Sequence, residues 1–295
     1  MSTVELPAIS LVTPSFNQAP FLAAALDSVF SQEYPKLEYI VIDGGSTDGS
    51  RDIIASRADR LAWWCSETDG GLYDALNKGF ARTSGEIMGW LNSDDLHSAS
   101  ALRTVGEIFA RFPEVEWLAS LAPMTWSPAG HCLGVTSIEG FSREAFLDGA
   151  YLPGAPRHYG WIPQEAAFWR RSLWEKSGAR LDASLKLAGD FELWTRFYQR
   201  TELVGTPAPL AGFRTHETQK SRAMDDYLTE AWAVLGKSRA KAHHRSSFVR
   251  KFFQRSRLAA VPGLRSPLAR SFGYPAKKVC ATADGGWRLE NYRFL

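Results

Sequence analysis

Short apolar segments alternate with segments of helical periodicity in the first part of the chain, and this alternation constrains the fold more than any other feature. Residues 8–13, 37–43, 61–67 and 86–91 are short apolar runs of the kind that forms buried strands. A segment with apolar residues at helical spacing follows each run, and residues 19–32 are the clearest example. Repeated strand and helix pairs within about 110 residues predict an α/β protein with a parallel, doubly wound sheet.

Polar clusters follow each of these strands. The segments are TPSFN, DGGSTDGS, ETDGG and NSDD, in chain order. In doubly wound sheets, ligands bind beyond the carboxyl ends of the strands, where helices begin and loops are free to vary. The sequence therefore predicts one acidic crevice at this edge of the sheet, with these carboxylates available: Asp43, Asp48, Glu67, Asp69, Asp94 and Asp95.

Asp94 and Asp95 are adjacent carboxylates at the end of an apolar run. Two like charges in a half-desolvated crevice resist ionisation unless a cation or a network of donors compensates them. A positive group is therefore expected nearby. The alternative is helix capping, because Ser and Asp are favoured before a helix start and residues 101–109 have helical periodicity.

Several common nucleotide and metal motifs are excluded. DGGSTDGS lacks the spacing of the dinucleotide-binding GxGxxG motif and of an EF-hand loop. The GKS at residues 236–238 has Ala231 where a phosphate-binding P-loop requires glycine. The three cysteines show no CxxC spacing, which argues against a disulfide framework or a zinc cluster and favours a reducing compartment.

The chain of 295 residues suits one large or two modest domains. Its first residues lack a basic segment ahead of an apolar one, and no apolar run approaches the roughly 20 residues that span a bilayer. We therefore expect a cytoplasmic protein.

The last part of the chain is strongly basic. Residues 237–278 contain twelve Lys or Arg and no Asp or Glu. Phe248, Phe252 and Phe253 would lie on one side of a basic amphipathic helix. This helix would either pack on the main domain or lie on an anionic membrane, at the inner face of the cell membrane. Because no nucleic-acid module accompanies the charge, we expect no nucleic-acid partner.

The four motifs TPSFN, VIDGGSTDGS, ETDGGLYDALNKG and LNSDD, in this order and spacing, resemble the large inverting family of glycosyltransferases with the GT-A fold. The subgroup that the chain looks most like (glycosyltransferase family 2-like) assembles bacterial surface polysaccharides. The resemblance runs from about Ile9 to Ser221. It implies a Rossmann-like, mostly parallel sheet flanked by helices, followed by a basic helical C-terminal extension.

The resemblance also implies how the chain is divided. Residues 1–222 would form the catalytic domain. Within it, residues 8–120 would be the nucleotide-sugar-binding half, and residues 121–222 would carry the acceptor site and the catalytic base. Residues 223–295 would form the extension.

Donor binding falls on the strand ends in this family. Asp43 would hydrogen-bond the base or ribose, Asp94 would reach the ribose, and Asp95 and His216 would hold a divalent cation, Mn²⁺ or Mg²⁺. The family often has Asp-x-Asp where this chain has adjacent acids, which leaves open which carboxylate touches the cation. Lys78 would add charge at the phosphates, or be a solvated helix-end lysine. The implied donor residues are Thr13, Pro14, Phe16, Asn17, Asp43, Asp69, Lys78 and Asp94.

The segment GDFELW resembles the family element whose Asp is the general base, so Asp190 is the candidate catalytic residue. Its alternative role is a helix N-cap or an acid favoured by the helix dipole. Trp161, Gln164 and Glu165 are the candidate acceptor-binding residues. The nearby tryptophans Trp169, Trp174 and Trp194 are expected in the core.

The resemblance thus implies an inverting, metal-dependent transfer of a sugar from a nucleotide donor, with UDP favoured, to a glycan or lipid-linked acceptor. One alternative is a nucleotide-sugar or glycan-binding module that has lost turnover. Another is a metal-dependent nucleotidyltransferase, which would need a Gly-rich triphosphate loop bearing Arg or Lys. LVTPSFNQAP contains no such loop.

Overall fold

The computed structural model of the protein describes residues 5–155, 157–217, 219, 224–242, 244, 247–255 and 264–295. The strands are β1 Ile9–Ser15, β2 Leu37–Asp43, β3 Trp63–Ser66, β4 Ile87–Trp90, β5 Leu96–His97, β6 Trp117–Ser120, β7 Met124–Trp126, β8 Cys132–Val135, β9 Ala167–Arg170, β10 Val204–Thr206, β11 Ala211–Arg214, β12 Tyr274–Ala281 and β13 Trp287–Phe294. The helices are α1 Ala19–Phe30, α2 Ser50–Ala55, α3 Leu72–Phe80, α4 Ala101–Arg111, α5 Arg143–Leu147, α6 Arg171–Lys176, α7 Gly189–Phe197, α8 Met224–Lys241, α9 Phe248–Arg255 and α10 Arg265–Phe272. Short 3₁₀ helices lie at Ala58–Arg60 and Gln164–Ala166.

A large sheet in the order β13-β12-β10-β6-β9-β4-β1-β2-β3 forms the centre of the molecule. β1 pairs in parallel with both β2 and β4, and Ile9 lies opposite Leu37 and Ile87. The pairs β2–β3, β6–β10 and β10–β12 are parallel as well, whereas β9 runs antiparallel to β4 and β6, and β13 runs antiparallel to β12. The first four predicted strands and the helices that follow them are confirmed, and so is the mostly parallel sheet flanked by helices.

The central strands are buried on both faces, as expected for a parallel sheet covered by helices. Leu11 and Ile9 of β1 face a core layer that includes α1 and α4 residues, and Val12 faces the opposite layer with α3 and α7. Trp90, Trp169 and Trp194 lie in this second layer, as expected of core tryptophans. The core tryptophans are Trp90, Trp117, Trp169, Trp174 and Trp194.

A second, smaller sheet in the order β5-β11-β7-β8 lies beyond β4 in the chain. β5 follows the NSDD segment directly, and its Leu96 lies opposite Gly212 of β11. At Gly212 a Cβ would come within 2.5 Å of the Met124 backbone oxygen, so only glycine allows β7 to approach so closely. Because β5 and β11 run antiparallel, the residues after β11 lie next to the residues before β5, which include Asp94 and Asp95.

The basic C-terminal segment differs from its prediction as a purely helical extension. Helices α8, α9 and α10 are followed by a hairpin of β12 and β13, and β12 adds to the central sheet beside β10, with Val204 opposite Lys277. The physical reason is that β12 buries residues on both faces of the sheet: Tyr274 and Ala276 lie in one core layer and Val279 in the other. The predicted boundary at residue 222 lies outside the described residues. In the described part of the chain, no helix is long and apolar enough to cross a membrane.

Candidate active site

A crevice of about 850 Å³ opens beyond the carboxyl ends of β1 to β4, where the polar clusters were predicted to meet. Residues of the second sheet, of the loop before the 3₁₀ turn at Gln164–Ala166 and of the start of α7 complete its walls. The crevice is therefore shared by the two predicted halves of the catalytic domain. The predicted site residues that line it are Pro14, Phe16, Asp69, Asp94, Asp95, Trp161, Gln164, Glu165 and Asp190.

Two predicted donor residues are instead buried beneath the strand ends. The Thr13 hydroxyl pairs with the Tyr39 hydroxyl at 2.8 Å inside the sheet. The Asp43 carboxylate accepts hydrogen bonds from the backbone and hydroxyl of Ser46 and from the hydroxyl of Ser66. In the structure Asp43 organises the turn after β2, and Thr13 ties β1 to β2; their contact with the nucleotide stays a prediction.

Asn17 and Lys78 also have structural partners outside the crevice wall. Asn17 adopts a left-handed conformation, and its side-chain oxygen accepts the backbone N–H of Thr47 at 3.0 Å. It connects the loops after β1 and β2. Lys78 forms an ion pair with Glu67 at 2.7 Å near the protein surface. Of the TPSFN segment, Pro14 and Phe16 face the crevice, and the Phe16 ring is 58% exposed.

The turn that carries the Asp pair is braced by amide side chains. Gln164 donates from Nε2 to the Trp90 carbonyl at 2.8 Å, and its Oε1 accepts from Asn92 Nδ2 at 3.0 Å. Asn92 also donates to Asp95 Oδ2 at 3.2 Å, and the Arg214 backbone N–H donates to Asp95 Oδ1 at 3.0 Å. Gln164, predicted to bind the acceptor, thus braces the donor-side turn while lining the crevice.

The capping alternative for the Asp pair is wrong. Helix α4 starts at Ala101, and its N-cap position is Ser100, which makes no side-chain capping bond. Asp94 lies seven positions before the helix start, too far to accept its first N–H groups. The two carboxylates therefore serve a purpose other than helix initiation.

Asp94 and Asp95 have different surroundings. His216 Nε2 lies 3.0 Å from Asp94 Oδ2, and the imidazole packs on the Phe21 ring at 4.3 Å. Asp95 is almost completely buried, and this burial, together with the charges of Asp94 and Glu165, raises its pKa well above the usual range. Asp94 and Asp95 both line the crevice, and the almost completely buried imidazole of His216 pairs with Asp94 from behind the wall.

The positive charge expected beside the Asp pair is the guanidinium of Arg214. This side chain is buried 5.2 Å from the centre of the Phe21 ring. Burial lowers the pKa of Arg214, and the nearby charges of Asp95 and Asp94 oppose that effect. One buried cation therefore compensates part of the charge of two carboxylates and leaves the site acidic.

The Asp94 and His216 side chains fit the divalent cation that the resemblance implies. A carboxylate oxygen and an imidazole nitrogen are suitable ligands for Mn²⁺, and a hard cation in such a site takes further ligands from phosphate and water. Within the described residues, no three acidic, His or Cys side chains already converge as a closed metal cluster.

Asp190 lies in the first turn of α7 and faces the same crevice. It is not the N-cap, a position held by Ala188 without a side-chain capping bond. Its Oδ1 accepts the Phe191 backbone N–H at 2.7 Å, which orients the carboxylate. Burial raises the pKa of Asp190 to about 6. Burial, with a contribution from the Asp190 charge, also raises the pKa of Glu165, to about 7.

The residue before Asp190 is glycine for a steric reason. The Tyr73 hydroxyl accepts the Gly189 backbone N–H at 2.8 Å and donates to the Leu187 carbonyl at 2.5 Å. A Cβ at Gly189 would come within 2.6 Å of the Tyr73 ring. A larger residue at position 189 would therefore displace either Tyr73 or the start of α7.

Sequence reasoning missed several residues of the site. Tyr227 of α8 lines the crevice, and its ring lies edge-on to Trp161 with centroids 5.6 Å apart. Asn92 was next to the predicted Asp pair but was not singled out. No local motif marks Tyr227, because it belongs to a segment predicted as an extension. The first helix of that extension, α8, completes the crevice.

Comparisons with known proteins show the family of the chain. The family model described as Glycosyl transferase family 2 matches residues 10–115. An uncharacterized glycosyltransferase of Mycobacterium tuberculosis is 32% identical over 211 residues, which are 69% of this chain and 72% of the relative. Another of Rickettsia typhi is 27% identical over 229 residues, 77% of this chain and 70% of the relative. The chain belongs to glycosyl transferase family 2.

Solved structures show the same fold. Staphylococcus aureus TarS 1-349 in complex with UDP-GlcNAc superimposes with a TM-score of 0.61 at 16% identity, over 88% of this chain and 77% of TarS 1-349. The mannosyltransferase PcManGT from Pyrobaculum calidifontis, in complex with GDP-Man and Mn²⁺, gives a TM-score of 0.53 at 18% identity, over 88% of this chain and 83% of PcManGT. The chain therefore has the GT-A-like fold of these glycosyltransferases.

Proposed function

We propose that the protein is an inverting, metal-dependent glycosyltransferase that moves a sugar from a nucleoside diphosphate donor to a hydroxyl of a glycan or lipid-linked acceptor. The observation that carries the proposal is the shared crevice, which is lined both by Asp94, the partner of His216, and by the buried carboxylate of Asp190. These two groups supply the two functions that the reaction requires: stabilisation of the leaving group and activation of the acceptor.

The donor binds at the ends of β1 to β4. Pro14, Phe16 and Asp69 face the region of the base and ribose. Asp94 and His216 would hold the cation, because they already form a pair, whereas the Asp95 oxygens accept hydrogen bonds from Arg214 and Asn92. This assignment exchanges the roles that the motif suggested for Asp94 and Asp95. When bound, the cation neutralises the charge of the departing diphosphate.

In the transfer step, Asp190 accepts the proton of the acceptor hydroxyl. The hydroxyl oxygen forms a bond to the anomeric carbon of the sugar, and the bond from that carbon to the diphosphate oxygen breaks. The electron pair leaves with the nucleoside diphosphate, and the anomeric configuration is inverted. One base opposite the leaving group suffices for such a displacement. Trp161 and Tyr227 form an aromatic wall beside Asp190 that suits a sugar ring of the acceptor.

The test is transfer from UDP-GlcNAc, UDP-glucose and GDP-mannose with Mn²⁺, with Mg²⁺ and with chelator. UDP is favoured among the nucleotides because the neighbour TarS binds UDP-GlcNAc. We expect cation-dependent release of one nucleoside diphosphate and a product of inverted anomeric configuration by NMR. A product of retained configuration would contradict the displacement through Asp190.

We also propose peripheral contact with an anionic membrane through the basic segment 237–278, parts of which lie outside the described residues. Phe248 and Phe252 of α9 are 83% and 55% exposed, and Val249 lies beside them. Phe253 instead packs inward on Phe272. A basic helix with an exposed apolar face is typical of peripheral membrane proteins, and lipid-linked acceptors are located at that surface.

The contact predicts a loss of vesicle binding when the aromatic side chains are removed. Phe248→Ser combined with Phe252→Ser should weaken sedimentation with phosphatidylglycerol vesicles by about 100-fold, because burial of each ring contributes about 1.5 to 3 kcal/mol. Leu133→Ser is the matched control, since Leu133 is 64% exposed on β8, outside the basic segment. Equal sedimentation of the double variant and the control would refute the contact.

A further inference from the structure

The carboxylate of Glu230, on α8, accepts hydrogen bonds from three consecutive backbone N–H groups. It accepts from Lys186 at 3.1 Å, from Leu187 at 3.0 Å and from Ala188 at 2.9 Å. These residues come directly before α7, whose first turn carries Asp190. A side chain from the predicted C-terminal extension, residues 223–295, thus binds the loop that leads to the proposed catalytic base.

These hydrogen bonds are charge-assisted and therefore stronger than bonds between neutral groups. Burial acts to raise the pKa of Glu230, but the N–H groups of Ala188, Leu187 and Lys186 outweigh burial and lower it. The carboxylate is consequently ionised at neutral pH. Without it, three N–H groups would lose their partner together.

The same loop is bound from its other side by α3. Tyr73 accepts the N–H of Gly189 and donates to the carbonyl of Leu187. Residues 186–189 therefore lie between a tyrosine hydroxyl and a glutamate carboxylate, and four successive backbone N–H groups are bound by these two side chains. Such a segment has little freedom to shift along or across the start of α7.

Helix α8 itself has a fixed position. Ala231 and Leu235 are completely buried in the core layer that also contains Phe191 and Trp194 of α7. Arg239, near the end of α8, donates to the Leu147 carbonyl at 2.5 Å. The Glu230 carboxylate is therefore presented by a packed helix, whereas its partners belong to a loop.

We infer that Glu230 is a positioning residue for the transfer reaction, which holds the loop before α7 so that the Asp190 carboxylate faces the acceptor. The inference rests on the proposed role of Asp190 as the base. It also assigns a function to the first helix of the C-terminal segment: α8 is part of the active site, through Tyr227 at the crevice wall and Glu230 behind Asp190.

The expected defect is in turnover. A displacement of a reacting group by about 1 Å costs about 10²-fold in rate. Glu230→Ala should therefore lower kcat by about 10²-fold and leave the donor KM within about twofold of the wild-type value, because the donor wall is untouched. Glu230→Gln, which keeps one oxygen acceptor at the same reach, should recover part of the loss.

The pH profile separates positioning from simple loss of folded protein. The titratable groups that face Asp190 are Glu165 of the 3₁₀ turn, Tyr73 of α3 and Tyr227 of α8. Release of the loop would admit water to Asp190, so its pKa would fall from about 6 towards the usual value. The acid limb of the kcat/KM profile should then move to lower pH in Glu230→Ala.

The experiment measures kcat, donor KM and the pH profile for Glu230→Ala, Glu230→Gln and Asp226→Ala, with Asp190→Asn assayed beside them. Asp226 is an exposed acid on the same helix, and its variant should match the wild type. Wild-type turnover in a folded Glu230→Ala variant overturns the inference, as does reduced turnover with an unmoved acid limb. If Glu230→Ala does not fold, the turnover and the acid limb of Glu230→Gln are judged by the same two outcomes. Full activity of Asp190→Asn would instead refute the base itself.

Discussion

Asp190→Asn should abolish most turnover while donor binding stays intact. The substitution removes the group that accepts the acceptor proton, and a positioned general base contributes about 10² to 10⁴-fold to the rate. The donor wall, which includes Phe16, Asp69 and Asp94, is unchanged. Initial rates of nucleoside diphosphate release and calorimetric binding of the donor measure the two properties separately. Lost donor binding in a folded Asp190→Asn variant would contradict the assignment.

The same variant should be more stable than the wild type at alkaline pH. The folded-state pKa of Asp190, about 6, lies above the unfolded value of 3.8, so the ionised carboxylate destabilises the fold. This penalty is absent well below pH 3.8 and complete above about pH 6. Thermal unfolding at pH 8 should therefore show Asp190→Asn stabilised by about 1 to 3 kcal/mol, with a smaller difference at pH 4.5. Asp226→Asn is the control without such an effect. A gain in stability of Asp190→Asn that does not change with pH would argue against a buried, ionised Asp190.

Asp94→Asn should have the second large effect, a loss of cation-dependent donor binding. The substitution removes an anionic ligand from the pair with His216, so the affinity for the cation and donor should fall by about 10²-fold, or about 3 kcal/mol. Titration of Mn²⁺ at a constant UDP concentration measures this loss. His216→Ala should weaken Mn²⁺ more than Mg²⁺, because imidazole is the less suitable ligand for Mg²⁺.

Asp95→Asn distinguishes the two acids. Its amide oxygen can still accept the Arg214 backbone N–H, so the turn is retained and the cation affinity should fall less than in Asp94→Asn. A larger loss of cation affinity in Asp95→Asn than in Asp94→Asn would show that Asp95 is the cation ligand, as the motif alone suggested. Asp226→Asn should behave as the wild type in both titrations.

The sheet could be predicted from the sequence because its signals are local. Each of the first four strands is a short apolar run with a helix after it, and the observed bounds of β2 match the predicted residues 37–43. The crevice was predictable for the same reason, since the polar clusters follow these strands directly. Asp190 was found through a resemblance of its segment, and the structure supplies the burial that raises its pKa.

Other features depend on contacts between distant parts of the chain. The motif predicts a nucleotide ligand at Asp43, and in the structure the Ser66 hydroxyl of β3 donates a hydrogen bond to its carboxylate. Only the pairing of β2 with β3 brings these two residues together. The contact of Glu230 with Lys186 spans 44 residues and has no periodic signature. The β12 and β13 hairpin was missed because the basic composition of residues 237–278 indicated helices instead.

The most direct test of the central claim is calorimetric titration of the wild-type protein with UDP in the presence of Mn²⁺, of Mg²⁺ and of chelator. The account predicts binding of one nucleoside diphosphate that requires the cation and disappears on chelation. Titrations with GDP and dTDP identify the donor class. Absence of binding under every condition, or binding unaffected by chelator, would contradict a cation site at Asp94 and His216 and would favour a protein that has lost turnover.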